Sequence, residues 1–110
     1  MLESTTTAAL VAACYDATMA CYWANAAEPY SHAAYQFASD RRDRLVAAVA
    51  DGNDEIERRW ADALFDIYFD GQAHAAKVFA DIRAEVAAER VAHAAAVLAD
   101  ARTIRTGGAR

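Results

Sequence analysis

One proline, four glycines and two cysteines are all that this chain of 110 residues spends on those types. Each scarcity excludes something. Two of the glycines are Gly107 and Gly108, so only Gly52, Gly71 and Pro29 punctuate the body. Many strands cannot be turned with so few turn residues, and the 31 alanines are the best helix formers. An all-α chain is expected. Cys14 and Cys21 lie seven residues apart on one expected helix, separated by roughly 10 Å of rise. A disulfide tolerates at most about 7 Å between Cα atoms, so they cannot pair there. Reduced cysteines in a core fit the cytoplasm, which is the expected compartment; bridges across a symmetric dimer are the alternative. Basic residues are scarce too. The first is Arg41, so "MLESTTT" lacks the basic start of a secretory signal. Net charge is −5, which argues against a general grip on nucleic acid.

What is present is apolar and helical. Hydrophobic residues make up 56% of the chain and charged residues 25%, a globular composition. The length suits one domain, read as residues 1–106 with a disordered tail at 107–110. Arginine outnumbers lysine ten to one, which with the alanine excess suggests a GC-rich bacterial or phage genome.

Residues 8–27, "AALVAACYDATMACYWANAA", carry one formal charge, Asp16. A membrane span would bury Asp16 near its middle, at about 2.5–3.5 kcal/mol on the mildest scale. No basic residue anchors either end. The stretch therefore reads as the most buried helix of a bundle, shielded on several faces by sister helices, with Asp16 kept away from the molecule's rim. Its stripe Leu10, Cys14, Ala17, Cys21, Ala24 is small enough for close approach; Val11, Tyr15, Tyr22 and Trp23 supply bulk on other faces.

Four helices are expected, at about 4–27, 30–51, 54–70 and 72–105. Ser4 or Thr5 caps the first and Glu28-Pro29 ends it. Pro29 opens the second, whose apolar face is Tyr35, Ala38, Leu45, Val46 and Val49, and Gly52 closes it. Asn53 or Asp54 caps the third, which shows Ile56, Trp60, Ala63, Leu64, Ile67 and Tyr68 at helical spacing. Gly71 either breaks the chain into helices three and four or sits inside one continuous helix. The continuous form would expose a seam and favour a homodimer.

The unusual pattern is an echo 19 residues apart. Asp62, Asp66, Asp70 and His74 are matched by Asp81, Glu85, Glu89 and His93, each step being four residues. Glu28 and His32 repeat the last step. At about 100° per residue such rows climb from solvent towards the apolar seam, leaving each histidine at the core's border beside a carboxylate. One reading is a solvated acidic face. A second is a metal site of His74, His93, Asp70 and Glu89 holding iron, manganese or zinc. Ferritin-like bundles hold metal with carboxylates and imidazoles, but with Glu-x-x-His at i,i+3 where this chain has i,i+4. A third is an acidic patch for a basic partner. Phe65 and Phe69 lie beside the acids, away from Trp60, and aromatics rimmed by acids mark interfaces.

Arg41, Arg42, Arg44, Arg58 and Arg59 gather near the Gly52 turn, where Asp40, Asp43, Asp54 and Asp62 can pair with them. The faint helix-turn-helix spacing there is spoiled by an acidic second helix, so DNA binding is disfavoured. Ser4, Ser31 and Ser39 have no nucleophile-elbow context, and Cys14 and Cys21 have no basic activator nearby in sequence. The expectation is a non-enzymatic, small acidic interaction protein that binds a protein partner stoichiometrically through Asp62, Phe65, Asp66, Phe69 and Asp70. A phage- or plasmid-borne inhibitor of a host complex, such as a defence complex, has these properties. The metal-binding bundle is the runner-up, and neither a membrane nor nucleic acid is expected as partner.

Overall fold

The computed structural model describes residues 2–108, with side chains described for residues 6–103. Four helices follow in order: α1 (Leu2–Ala26), α2 (His32–Ala50), α3 (Asp54–Leu64) and α4 (Gln72–Gly108). There is no strand among the described residues. No helix there is long and apolar enough to cross a membrane. Helix α4 runs on through Gly107 and Gly108, into the segment expected to be a tail.

Local chemistry explains most boundaries. Ser31 caps α2, its hydroxyl accepting from Ala34 N at 3.2 Å. That side chain satisfies an orphan N–H that Pro29 has no means of serving, so α2 starts later than Pro29. Glu28 consequently lies in the linker, and His32 bonds the Tyr30 hydroxyl at 3.2 Å; the expected Glu28–His32 helical pair does not form. Asp51 closes α2 in the left-handed region (φ 48), with Gly52 following at φ 83. Asn53 caps α3, accepting from Ile56 N at 3.0 Å.

The core is Trp60 surrounded by Val11, Cys14, Tyr15, Val46, Leu64, Ile67, Ala75, Phe79, Ile82 and Val86. Trp60 meets Phe79 edge-on at 5.1 Å between ring centroids. Its indole N–H is buried without a hydrogen-bond partner of ordinary geometry. Burial pushes the Cys14 thiol up, and Trp60 draws it partly back. Burial also raises Cys21, against the pull of Arg42. Both cysteines are free and buried.

Helix α1 contributes the most buried side chains and contacts all three other helices. Its Cys14, Ala17 and Cys21 are buried as the stripe requires, and the buried Thr18 hydroxyl donates to Cys14 O at 2.8 Å. The expectation that Asp16 is kept from the rim and that Tyr22 and Trp23 are covered is corrected, however. Asp16, Ala20, Tyr22 and Trp23 are exposed. Asp16 stands at the rim and accepts from Gln72 Nε2 at 2.8 Å. In a four-helix arrangement every helix keeps an outer face, and alanine occupies such a face at little cost, so apolar composition did not mean burial all round.

Helix α3 ends at Leu64, not near residue 70. Residues 65–71 form a turn with Phe69 at φ 68 and Gly71 at φ 95. Gly71 therefore breaks the chain, and its carbonyl starts α4 by accepting from Ala75 N at 3.1 Å. Replacing Gly71 with alanine forces a side chain into this backbone region. It is expected to destabilise the protein by about 1–3 kcal/mol, read by urea denaturation. A loss near zero would show that the turn relaxes freely.

Helix α4 joins the core through the buried Ala75, Phe79, Ile82 and Val86, with the partly buried Val78 packed against it. From Ala87 to Thr103 every residue is exposed. The helix projects from the bundle, and the molecule measures 75 × 31 × 21 Å.

Candidate interaction surface

The turn between α3 and α4 is held against α1 by two polar ties and one apolar anchor. Tyr15 is buried in the core and its hydroxyl accepts from Gly71 N at 2.9 Å. Asp16, the next residue, takes the Gln72 amide. Ile67 turns inward and is 5% exposed. With Ile67 fixed inward, its neighbours in this short turn are presented outward.

Phe65 and Phe69 are exposed at 54% and 58%. Two turns along α1 from Tyr15, Tyr22 and Trp23 emerge from the same face of the bundle. Phe69 packs edge-on against Tyr22 at 4.9 Å and against Trp23 at 5.9 Å. Tyr22 also meets Trp23 at 5.1 Å and Tyr68 at 5.4 Å. The four rings form one contiguous cluster in favourable edge-to-face and tilted geometry. Trp23 nevertheless stays 58% exposed. Arg42 of α2 extends the cluster, its guanidinium 5.1 Å from the Phe65 ring centroid. It also faces Tyr68, whose hydroxyl is raised by burial and lowered by Arg42.

Phe69 is a bulky residue in the left-handed region, which costs of order 1–3 kcal/mol. A glycine there would remove the strain. The backbone thus pays to hold an aromatic ring at the surface.

The acids of the first row take three settings. Asp62 lies in the last turn of α3 and pairs with Arg58 at 3.7 Å. Asp66 and Asp70 lie on the turn, both exposed. Asp70 is 3.8 Å from His74 Nε2. The row is not helical, because α3 stops before Asp66. Asp66 and Asp70 therefore stand on the same turn as Phe65 and Phe69, and not on a helix.

The second row is intact on α4 and is occupied from within. Arg59 reaches across from α3 and donates to both Glu89 carboxylate oxygens, at 2.9 and 2.7 Å, with Glu85 at 3.6 Å. Its Nε donates to Glu55 at 2.7 Å. Asp81 pairs with Lys77 at 3.3 Å. Arg58 also donates to Glu55, at 2.6 Å, and the bonds from Arg58 and then Arg59 lower the Glu55 carboxyl from its ordinary 4.5 to about 2. Glu55 thus contributes stability above its unfolded pKa, lost as pH falls from about 4.5 through about 2. A Glu55→Gln variant should be less stable than the parent near neutrality and equal to it below about pH 2, by urea titration across that range. A constant gap at all pH values would contradict the ion-pair origin.

His74 and His93 are both exposed, not at the core's border. The first row is broken by the turn, and the second ends beyond the part of α4 that has neighbours. The two histidines sit 19 residues apart on one helix, roughly 28 Å of rise. The set His74, His93, Asp70 and Glu89 is therefore not brought together. No group of three His, Cys, Asp or Glu among the described residues is placed to hold a metal ion.

Tyr22, Trp23, Tyr68 and Arg42 were not assigned to this surface from sequence. Sequence reads Tyr22 and Trp23 as core bulk, and it is their contact with a turn more than forty residues away that places them in this cluster.

Comparison with known proteins gives one local likeness. Fifty-two residues are 54% identical to the Gene 85 protein of Mycobacterium phage L5, covering 47% of this chain. The match spans 59% of that relative's own length. No family model matches, and no solved structure matches significantly.

Proposed function

We propose that the protein works by stoichiometric binding to a macromolecular partner, with Trp23, Tyr22, Phe69 and Phe65 as the contact surface. Asp62, Asp66 and Asp70 form its acidic rim. The observation that carries this reading is Phe69, an exposed aromatic kept at positive φ where glycine would be cheaper. Backbone strain persists where function requires it. Aromatic residues and arginine are enriched at the centres of interfaces, and Arg42 stands beside this cluster.

The finer reading is an inhibitor of a host complex carried by a phage, such as a defence complex with a basic surface. Its support is the size and net charge of −5, and the local likeness to a phage gene product. The acids would steer the encounter and the rings would supply affinity.

Reversal of Asp62, Asp66 and Asp70 to lysine tests the acidic rim. Helical content, read by circular dichroism, should stay unchanged while affinity capture of the partner from host lysate is lost. Capture at the parental level would reduce the rim to a solubility feature.

A further inference from the structure

Helix α4 carries a second surface of opposite sign. A cleft of about 340 Å³ opens between the α2–α3 turn and α4, and a smaller one of about 210 Å³ adjoins it along α4. Val49, Ile56, Val86 and Ala87 give the pair apolar walls, and Arg83 and Arg90 line both. Neither arginine forms an ion pair among the described residues. Arg83 rests 5.9 Å from the Phe79 ring centroid. Asp51, on the α2–α3 turn, is the one carboxylate among the described residues that line the clefts.

The same side of α4 continues beyond the bundle. Arg83, Ala87, Arg90, Ala94, Leu98 and Ala101 follow steps of three and four, so they share a face. Val91 lies beside them, 71% exposed, and Leu98 is 59% exposed. Arg102 borders the strip on the side away from Arg90. The carboxylates Asp81, Glu85, Glu89 and Asp100 fall on the opposite side of the helix, where Arg59 and Lys77 occupy the first three. The result, among the described residues of α4, is an apolar strip edged by arginine, on a chain whose net charge is −5.

We infer that this strip and its cleft dock an acidic amphipathic helix of a protein partner. The arginine edges call for carboxylates, and the apolar floor calls for aliphatic side chains; an acidic amphipathic helix carries both. Arg83 and Arg90 are about 10 Å apart along α4, matching carboxylates seven residues apart on the docked helix. A second copy presenting this strip would set arginine against arginine. Nucleic acid would leave the Val91 and Leu98 strip without apolar contact.

The probe is a labelled three-heptad synthetic helix with leucine along one face and glutamate flanking it, titrated with the full-length protein by fluorescence anisotropy. Binding is expected, and the Arg83→Glu, Arg90→Glu double variant should weaken it by about 100-fold. Binding by that variant should return when the peptide's glutamates are changed to lysine. Circular dichroism checks that the variant is folded; a Leu98→Asp variant, altered only on the projecting part of α4, should also bind more weakly. A Trp23→Ala, Phe69→Ala variant should bind the peptide as the parent does, so failure of the aromatic surface and failure of this one are distinguishable. Equal affinity of parent and arginine variant would overturn the inference. So would no binding at all, tighter binding of a short single-stranded oligonucleotide, or a parent dimer that the peptide does not dissociate.

Discussion

Trp60→Ala is expected to destabilise the protein by about 3–5 kcal/mol, against the roughly 5–15 kcal/mol that holds a typical domain folded. Trp60 is 0% exposed and stands at the centre of the core. Helix α3 has eleven residues, and Trp60 and Leu64 are its two buried side chains. A helix this short is marginal in isolation and depends on packing. Truncation removes the ring's transfer energy and leaves a cavity that Cys14 and Phe79 cannot fill without moving. Thermal and urea denaturation followed by circular dichroism would measure the loss. Trp60→Phe should cost markedly less, since much of the ring volume stays and an indole N–H without a hydrogen bond of ordinary geometry is removed. A loss for Trp60→Ala below about 1 kcal/mol would mean that the core lies elsewhere.

The second large effect concerns binding. Replacing Trp23 and Phe69 together by alanine should weaken partner capture at least about 100-fold. Buried aromatic anchors commonly contribute about 2 kcal/mol or more each, and 1.4 kcal/mol is a factor of ten. The two rings touch, so their effects should be less than additive. Both are more than half exposed, so the fold should lose little. Capture of the same partner at undiminished strength would move the contact surface away from α1 and the α3–α4 turn.

The sequence carried the parts of the fold that local chemistry decides. The Asn53 cap, the end of α2 near Gly52, the break at Gly71 and the Cys14–Ala17–Cys21 stripe all rest on residues close in the chain. The end of α3 was hidden, because Phe65 and Asp66 are compatible with a helix. What shapes the following turn is distant: Tyr15 accepting Gly71 N across 56 residues, and Ile67 entering the core. The departure of α4 after Val86 was hidden for a different reason. Alanine-rich sequence continues unchanged from the packed part to the projecting part, and no periodicity marks where neighbouring helices run out. That is why His93 was expected beside a core that does not extend so far.

The candidate surface was half legible. Phe65, Phe69 and the three aspartates were assigned from charge and aromatic spacing. Their partners Tyr22 and Trp23 were read as buried, because their helix was expected to be covered on several sides. Arg59 shows the same limit. Its position near acids was plain, but its reach to Glu85 and Glu89 depends on how α3 packs on α4.

The most direct test of the account is Phe69→Gly, with stability and partner capture measured on the same preparation. Glycine relieves the left-handed backbone while removing the ring. The account predicts stability within about 1 kcal/mol of the parent or higher, together with at least a tenfold loss of capture. Full capture by a variant of undiminished stability would contradict it.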